Sequence, residues 1–288
     1  MTKKVLRCLL VIVSTSMVLA SCLDFTPEII GYRFELLKDT PVWELAKAVK
    51  SEDTNEIKRL IQEKHLDVNY QEHKSEWGVT LLDLAVGNGK VKSVKALLEN
   101  GARIDNSQLN QLCDITINIK HRTEILKLLL QHGANPNKVQ VGYYYLKGDS
   151  IPKAIRTPLN GAFDDLACTK LLLDYGADMN YQVNKPNDEF QIKYINWVGL
   201  LELQDDPDYT DRIFVAKYLI VDKQMPIPDP LRYGTCDTGL CPVSALYYLN
   251  SVKYFFPGKR KARDEILAYL KKEGFPYHGV VRDGKIIK

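Results

Sequence analysis

An all-α solenoid of stacked helix pairs, with long β-hairpin or loop fingers, is what this chain encodes, on three grounds. First, six segments share one apolar frame: "EIKRLI" from Glu56, "SVKALL" from Ser93, "ILKLLL" from Ile125, "CTKLLL" from Cys168, "VAKYLI" from Val215 and "EILAYL" from Glu265. Second, three of them run into nearly the same phrase, "ALLENGARID", "LLLQHGANPN" and "LLLDYGADMN". Third, the segments recur at separations of 37, 32, 43, 47 and 50 residues. Self-similarity on that scale marks a repeat architecture. With 288 residues, 45% of them hydrophobic, the chain can bury a sizeable core. Its expected organisation is a leader over 1–22, a linker over 23–40 and a domain of about six repeats over 41–288, the outer ones divergent.

Each segment reads as the second helix of a pair. Its double apolar pair and the residue four before it fall on one helical face, so the stripe is buried only by a neighbouring repeat. In the first five segments a lysine precedes the pair by two residues: Lys58, Lys95, Lys127, Lys170 and Lys217; Leu267 takes that place in the sixth. Gly101, Gly133 and Gly176 then stand where a helix ends in left-handed geometry. The alanine after each lets the chain turn closely, and the Asp or Asn beyond suits a turn through side-chain bonds to backbone. Upstream lies a shorter first helix. Thr80 caps one, with "GNG" (Gly87 to Gly89) ending it, and Thr157 followed by Pro158 opens another.

Those residues resemble the ankyrin repeat, whose pattern runs Gly-x-Thr-Pro-Leu, a small-residue helix, then Leu-Leu, two residues and Gly-Ala. The resemblance is strongest over Gly78 to Asp105 and Thr157 to Asn180, fair over Leu109 to Asn137, and weaker over Trp43 to Asn69, Ile195 to Pro228 and Pro242 to Tyr277. It implies helix pairs with turn fingers projecting to one side. The fingers are where this chain departs from the pattern. "VQVGYYYLKGDSIPKAIR" (Val139 to Arg156), "YQVNKPNDEFQIKYINW" (Tyr181 to Trp197) and "MPIPDPLRYGTCDTGLC" (Met225 to Cys241) are all long. Insertions between repeats map to one face, often the binding face. Tyr143, Tyr144 and Tyr145, with Trp77, Tyr181 and Trp197, are the candidate partner-binding residues, because aromatic rings with a polar tip anchor interfaces. The alternative is that these rings fold back over the ends of neighbouring helices.

The first 22 residues have a basic start (Lys3, Lys4, Arg7), an apolar run from Leu9 and the small residues of "LASC", which is the shape of a secretory signal rather than a spanning helix. Leu19 to Cys22 resemble the bacterial lipobox. The resemblance implies cleavage before Cys22, acylation of that cysteine, and tethering in the bacterial envelope. Leu23, in place of an aspartate, implies the outer rather than the inner membrane.

Three of the 39 basic residues lie in that leader with no acid, which leaves 36 against 36 acidic residues. A formally neutral chain argues against nucleic acid as the main partner. The balance is uneven, since Lys253 to Lys288 holds ten Lys and Arg against four Asp and Glu. That excess could meet anionic lipid or an acidic partner, or could be a solvated terminal face. Cys113 aligns with Leu82 in the first-helix pattern, Cys168 sits among second-helix residues beside the apolar stripe, and both read as buried thiols. Cys236 and Cys241 flank four residues, and in an oxidising compartment they are expected to form a disulfide worth about 2 kcal/mol. His65, His73, His121, His132 and His278 show no metal-binding spacing, so neither a metal nor another cofactor is expected. "GDSI" from Gly148 is similar to the Gly-Asp-Ser motif of a lipase family, but no Asp-x-x-His accompanies it. No nucleophile elbow or phosphate loop occurs either.

The chain therefore reads as a non-enzymatic binding module for another protein, with no small-molecule substrate expected. Envelope proteins of the family include immunity proteins that neutralise toxins and factors that protect against stress. A structural scaffold of an envelope assembly is the competing reading, and catalysis at a finger site ranks last.

Overall fold

The computed structural model describes residues 33–73, 78–105, 107–113, 119–138, 140–146, 149–179, 211–227, 229, 232–236, 239–251, 256–279, 281–282 and 285–286, with the backbone alone at most strand positions. The chain folds as two compact units, Met1–Asn100 and Gly101–Lys288.

The first unit holds two helix pairs, α1 (Trp43–Ser51) with α2 (Thr54–Gln62) and α3 (Leu81–Gly87) with α4 (Val91–Glu99), after a 3-10 turn at Phe34–Leu37. Two of the four starts are capped by side chains. Asp53 accepts the Glu56 N–H at 3.0 Å to cap α2. Thr80 and Asp83 form a reciprocal capping box on α3, at 3.2 Å and 2.8 Å. The pairs stack α1 on α3 and α2 on α4, burying Leu45, Val49, Ile57, Leu81, Leu84, Val94 and Leu97 between them. Polar bonds fix the register. The fully buried Ser93 hydroxyl donates to the Val49 carbonyl at 2.7 Å, and the Glu52 carboxylate accepts the Lys92 N–H at 2.9 Å.

The second unit repeats the plan. Its helices are α5 (Ser107–Cys113), α6 (Arg122–Gln131), α7 (Pro158–Gly161), α8 (Leu166–Asp174), α9 (Arg212–Lys217), α10 (Ala245–Ser251) and α11 (Pro257–Lys272). The second helices follow one another, α6 on α8, α8 on α9 and α9 on α11, while α5 packs on α7. Thr157 caps α7 through the Asn160 N–H, with Pro158 at the first position, and Asp165 caps α8 at 2.9 Å. Among the described residues, strands occur only as antiparallel hairpins: β1 (Gln140–Leu146) with β2 (Asp149–Arg156), β3 (Arg232–Cys236) with β4 (Gly239–Val243), and β5 (Val281–Arg282) with β6 (Lys285–Ile286). The fold is thus all-α in its core, with hairpin fingers.

The stop-and-turn phrase behaves as its residues require. Gly101, Gly133 and Gly176 have φ of +89°, +89° and +86°. Lys58, Lys95, Lys127 and Lys170 are exposed, whereas Leu267, in the same place, is buried. The fifth segment departs from expectation. Its helix gives way after Lys217 to a wider turn over Tyr218–Asp222, closed by the Lys223 N–H on the Tyr218 carbonyl at 2.9 Å. Lys170 and Lys223 then stand 4.9 Å and 5.5 Å from the Tyr218 ring centre, close enough for cation–π attraction.

Candidate functional site

The tyrosine finger is a regular hairpin with one irregularity. Tyr145 pairs with Ser150, Tyr144 with Ile151 and Tyr143 with Pro152; Gly142 then pairs with Ala154, so Lys153 is an extra residue on β2. The bulge falls beside Pro152, which has no N–H to give a ladder, and bulges are where strands accommodate proline. Strand geometry sets positions 143 and 145 on one face of the ribbon and 144 on the other. Ser150, the serine of "GDSI", is a ladder position in this hairpin.

A smaller finger closes in the first unit, where Gln71 and Thr80 form a bridge and the Glu72 N–H donates to the Val79 carbonyl at 3.1 Å. It subtends Trp77, which itself lies outside the described residues, as do Tyr181, Trp197 and Cys22. The structure therefore brings Tyr143, Tyr144 and Tyr145 together on one strand and leaves the other three aromatic candidates undescribed.

The base of the fingers is built by turn residues. The Asp67 side chain accepts the Asn69 N–H and the Asn135 side chain accepts the Asn137 N–H, both at 2.9 Å. Asn137 also reaches the next repeat: its amide donates to the Gly176 carbonyl at 2.9 Å and accepts the Asp178 N–H at 2.6 Å. The sequence marks these Asx residues as local turn formers, and their role in tying successive fingers together is the part it hides.

A polar cluster at the turn between α7 and α8 has no signal in the sequence. Arg122 at the start of α6 meets Asp164 between α7 and α8 at 3.1 Å. The Cys168 thiol donates to Asp165 at 3.2 Å and lies 3.5 Å from the Thr123 hydroxyl. Burial pushes the Cys168 thiol up to about 12, and burial with its thiol neighbour pushes Cys113 well above its ordinary value. Both are buried and free, as expected of small thiols at these helix positions, and thiols so shifted are poor nucleophiles at neutral pH. In the β3–β4 hairpin, Cys236 pairs with Gly239 and Cys241 with Gly234, so the two cysteines hold diagonal positions.

Among the described residues no cluster of three His, Cys, Asp or Glu could hold a metal, and no helix is long and apolar enough to cross a membrane. His132 stands at the end of α6, bonded through Nδ1 to the Leu128 carbonyl at 2.8 Å.

Comparison with known proteins bears on the same elements. Residues 45–140 match the ankyrin repeats family in three copies. Ankyrin repeat and SOCS box protein 14 of Mus musculus is 29% identical over 136 residues, which is 46% of this chain and 21% of that protein. Dynein axonemal heavy chain 12 of Bos taurus is 32% identical over 115 residues, 39% of this chain and 29% of that one. The chain thus spans under a third of either relative. The crystal structure of EF0377, an ankyrin repeat protein, aligns with 80% of this chain and 98% of its own at 22% identity and a TM-score of 0.47. The class that emerges is a repeat fold of helix pairs, similar to ankyrin repeats over 45–140. Such repeats are protein–protein interaction modules.

Proposed function

We propose that this chain is a lipid-tethered, non-enzymatic protein-binding module of the bacterial envelope, with Cys22 as the tether, and that it captures and neutralises a partner protein. The observation that carries the reading is the direct succession of matched ankyrin repeats, ending at residue 140, and the tyrosine hairpin Gln140–Arg156. Repeats followed in sequence by a hairpin strand rich in tyrosine suit recognition by a few anchors. Tyr143, Tyr144 and Tyr145 supply contact area with little rotamer entropy to lose. The linker of 23–40 extends to about 60 Å at most, which keeps the target near the membrane.

The test is site-specific photocrosslinking from position 144 in intact cells, followed by capture of the tagged chain. A single crosslinked protein, lost when Tyr143 and Tyr145 become alanine, is the expected result. Crosslinks that are diffuse and indifferent to the tyrosines would replace this reading with that of an envelope scaffold. Outer-membrane tethering is tested separately by radiolabelled palmitate incorporation and fractionation, with Cys22→Ser as the control.

A further inference from the structure

The start of α11 carries a second surface, independent of the fingers. Phe256 precedes the helix with its ring 45% exposed. Pro257, Gly258, Arg260 and Lys261 are exposed after it, and Lys259 holds its ammonium 5.8 Å from the Phe256 ring centre. The opposite face of α11 is occupied: Ala262, Ile266, Leu267 and Leu270 are buried, and the helix packs on α9 and α10.

Among the described residues, nearby acids are already engaged. Asp264 is tied to Arg263 at 2.7 Å, Glu265 to Lys217 at 3.1 Å, and Asp222 approaches Lys217 at 3.8 Å. Glu273 lies at the other end of the 16-residue helix, about 24 Å away. The first turn of α11 contains no acid at all. Three neighbouring cations there repel one another and oppose the helix dipole, so the arrangement costs the folded chain stability.

We infer that this patch, Phe256 with Lys259, Arg260 and Lys261, docks the protein onto an anionic phospholipid surface. Free cations bordering an exposed aromatic ring match the headgroup boundary, where the ring enters the acyl edge and the cations stay among the phosphates. A nucleic acid gives the ring no such place on a duplex, and the chain as a whole is nearly balanced, with 39 basic against 36 acidic residues. The depression beside the patch, lined by Pro257, Arg260, Lys261, Asp264, Glu265 and Ala268, is open, which suits a fluid surface better than a fitted acidic peptide.

Cosedimentation of the full chain with vesicles tests this. Phosphatidylcholine vesicles read the apolar binding of the leader; vesicles with about one-third phosphatidylglycerol read the leader's Lys3, Lys4 and Arg7 together with the patch, and the patch variants separate the two. The expected result is binding at least tenfold tighter to the anionic vesicles, abolished by high salt. Lys259→Gln, Arg260→Gln and Lys261→Gln should each reduce the anionic increment by roughly fivefold. Phe256→Ala should weaken it several-fold while keeping the salt dependence. Lys259→Arg with Lys261→Arg should preserve it, and unchanged unfolding midpoints show that the exposed substitutions leave the fold intact. Equal binding to both vesicles, or a triple Gln variant that binds like wild type, overturns the proposal. Patch-dependent binding to heparin without vesicle binding overturns it in favour of a soluble polyanion.

Discussion

Arg122 and Asp164 are joined at 3.1 Å with only 13% of each side chain exposed, so one carboxylate links the start of α6 to the turn between α7 and α8. Asp164 also gives its carbonyl to the Asp211 N–H at 2.9 Å, which ties α9 to the same point. Three successive repeats of the second unit therefore converge on a single turn.

The pair makes stability depend on pH in a definite sense. Burial raises the Asp164 carboxyl above its ordinary value, although the charge and hydrogen bond of Arg122 pull it down. A carboxyl raised in the folded state binds its proton more readily there than in the unfolded chain. Its contribution to stability therefore falls as pH rises through the raised value. Arg122→Gln removes the compensating charge and should cost about 3 kcal/mol at neutral pH. That cost should shrink as acidification neutralises Asp164. Urea unfolding of both proteins from pH 7 down to pH 4 measures it; a constant difference would mean that the guanidinium acts through packing alone.

How far was this legible beforehand? The glycine phrase, the Thr80 and Thr157 caps and the burial of Cys113 and Cys168 follow from local chemistry, and each stands in the structure as its residues require. The Arg122–Asp164 link and the reach of Asn137 to Gly176 were not legible, because they join residues about forty apart through bonds that no periodicity encodes. The wide turn at Tyr218 was hidden for a related reason. The apolar frame of "VAKYLI" fits both a regular helix and one with an inserted residue. Of the candidate site, the hairpin form of the tyrosine finger was anticipated, but the bulge at Gly142 and Tyr143 depends on pairing with Pro152.

Two glycines should fail for different reasons. A Cβ on Gly161 would clash with the Cys113 carbonyl oxygen, where α5 and α7 meet backbone to backbone. Gly161→Ala should therefore push the helices apart and cost about 1–3 kcal/mol. Gly133 has no atom within 4 Å of such a Cβ, but its φ is +89°. Gly133→Ala should cost about 1–2 kcal/mol from backbone strain alone. Enlarging the hydrophobic side chain separates the mechanisms. Going from Ala to Leu, which is unbranched at Cβ, should worsen position 161 sharply and position 133 little, as read by denaturant midpoints.

Ser93 provides a test of register between repeats. Its hydroxyl is fully buried and bonded to the Val49 carbonyl at 2.7 Å, so Ser93→Ala leaves that carbonyl with only the Glu52 N–H, at 3.2 Å. The expected loss is about 1–2 kcal/mol. Amide exchange should localise it to α1 and α4, with protection of α2 less affected. Uniform loss across the first unit would mean that the unit unfolds as one block.

The cysteines permit a last prediction within one experiment. With its thiol raised to about 12, Cys168 is ionised in only about one molecule in 10,000 at pH 8, and Cys113 is fully enclosed besides. Brief alkylation of the native protein, read by peptide mass spectrometry, should leave both unmodified, and denaturant should expose both. Cys236 and Cys241 should also escape alkylation, but for a different reason: a disulfide in the β3–β4 hairpin. Their diagonal register, with Gly239 and Gly234 as the facing residues, puts such a pair near about 7 Å before adjustment, beyond the relaxed range for a disulfide. That bond should therefore be strained and yield to mild reductant while Cys113 and Cys168 stay protected. Alkylation of Cys236 and Cys241 without any reductant would establish that the hairpin keeps its register and its thiols.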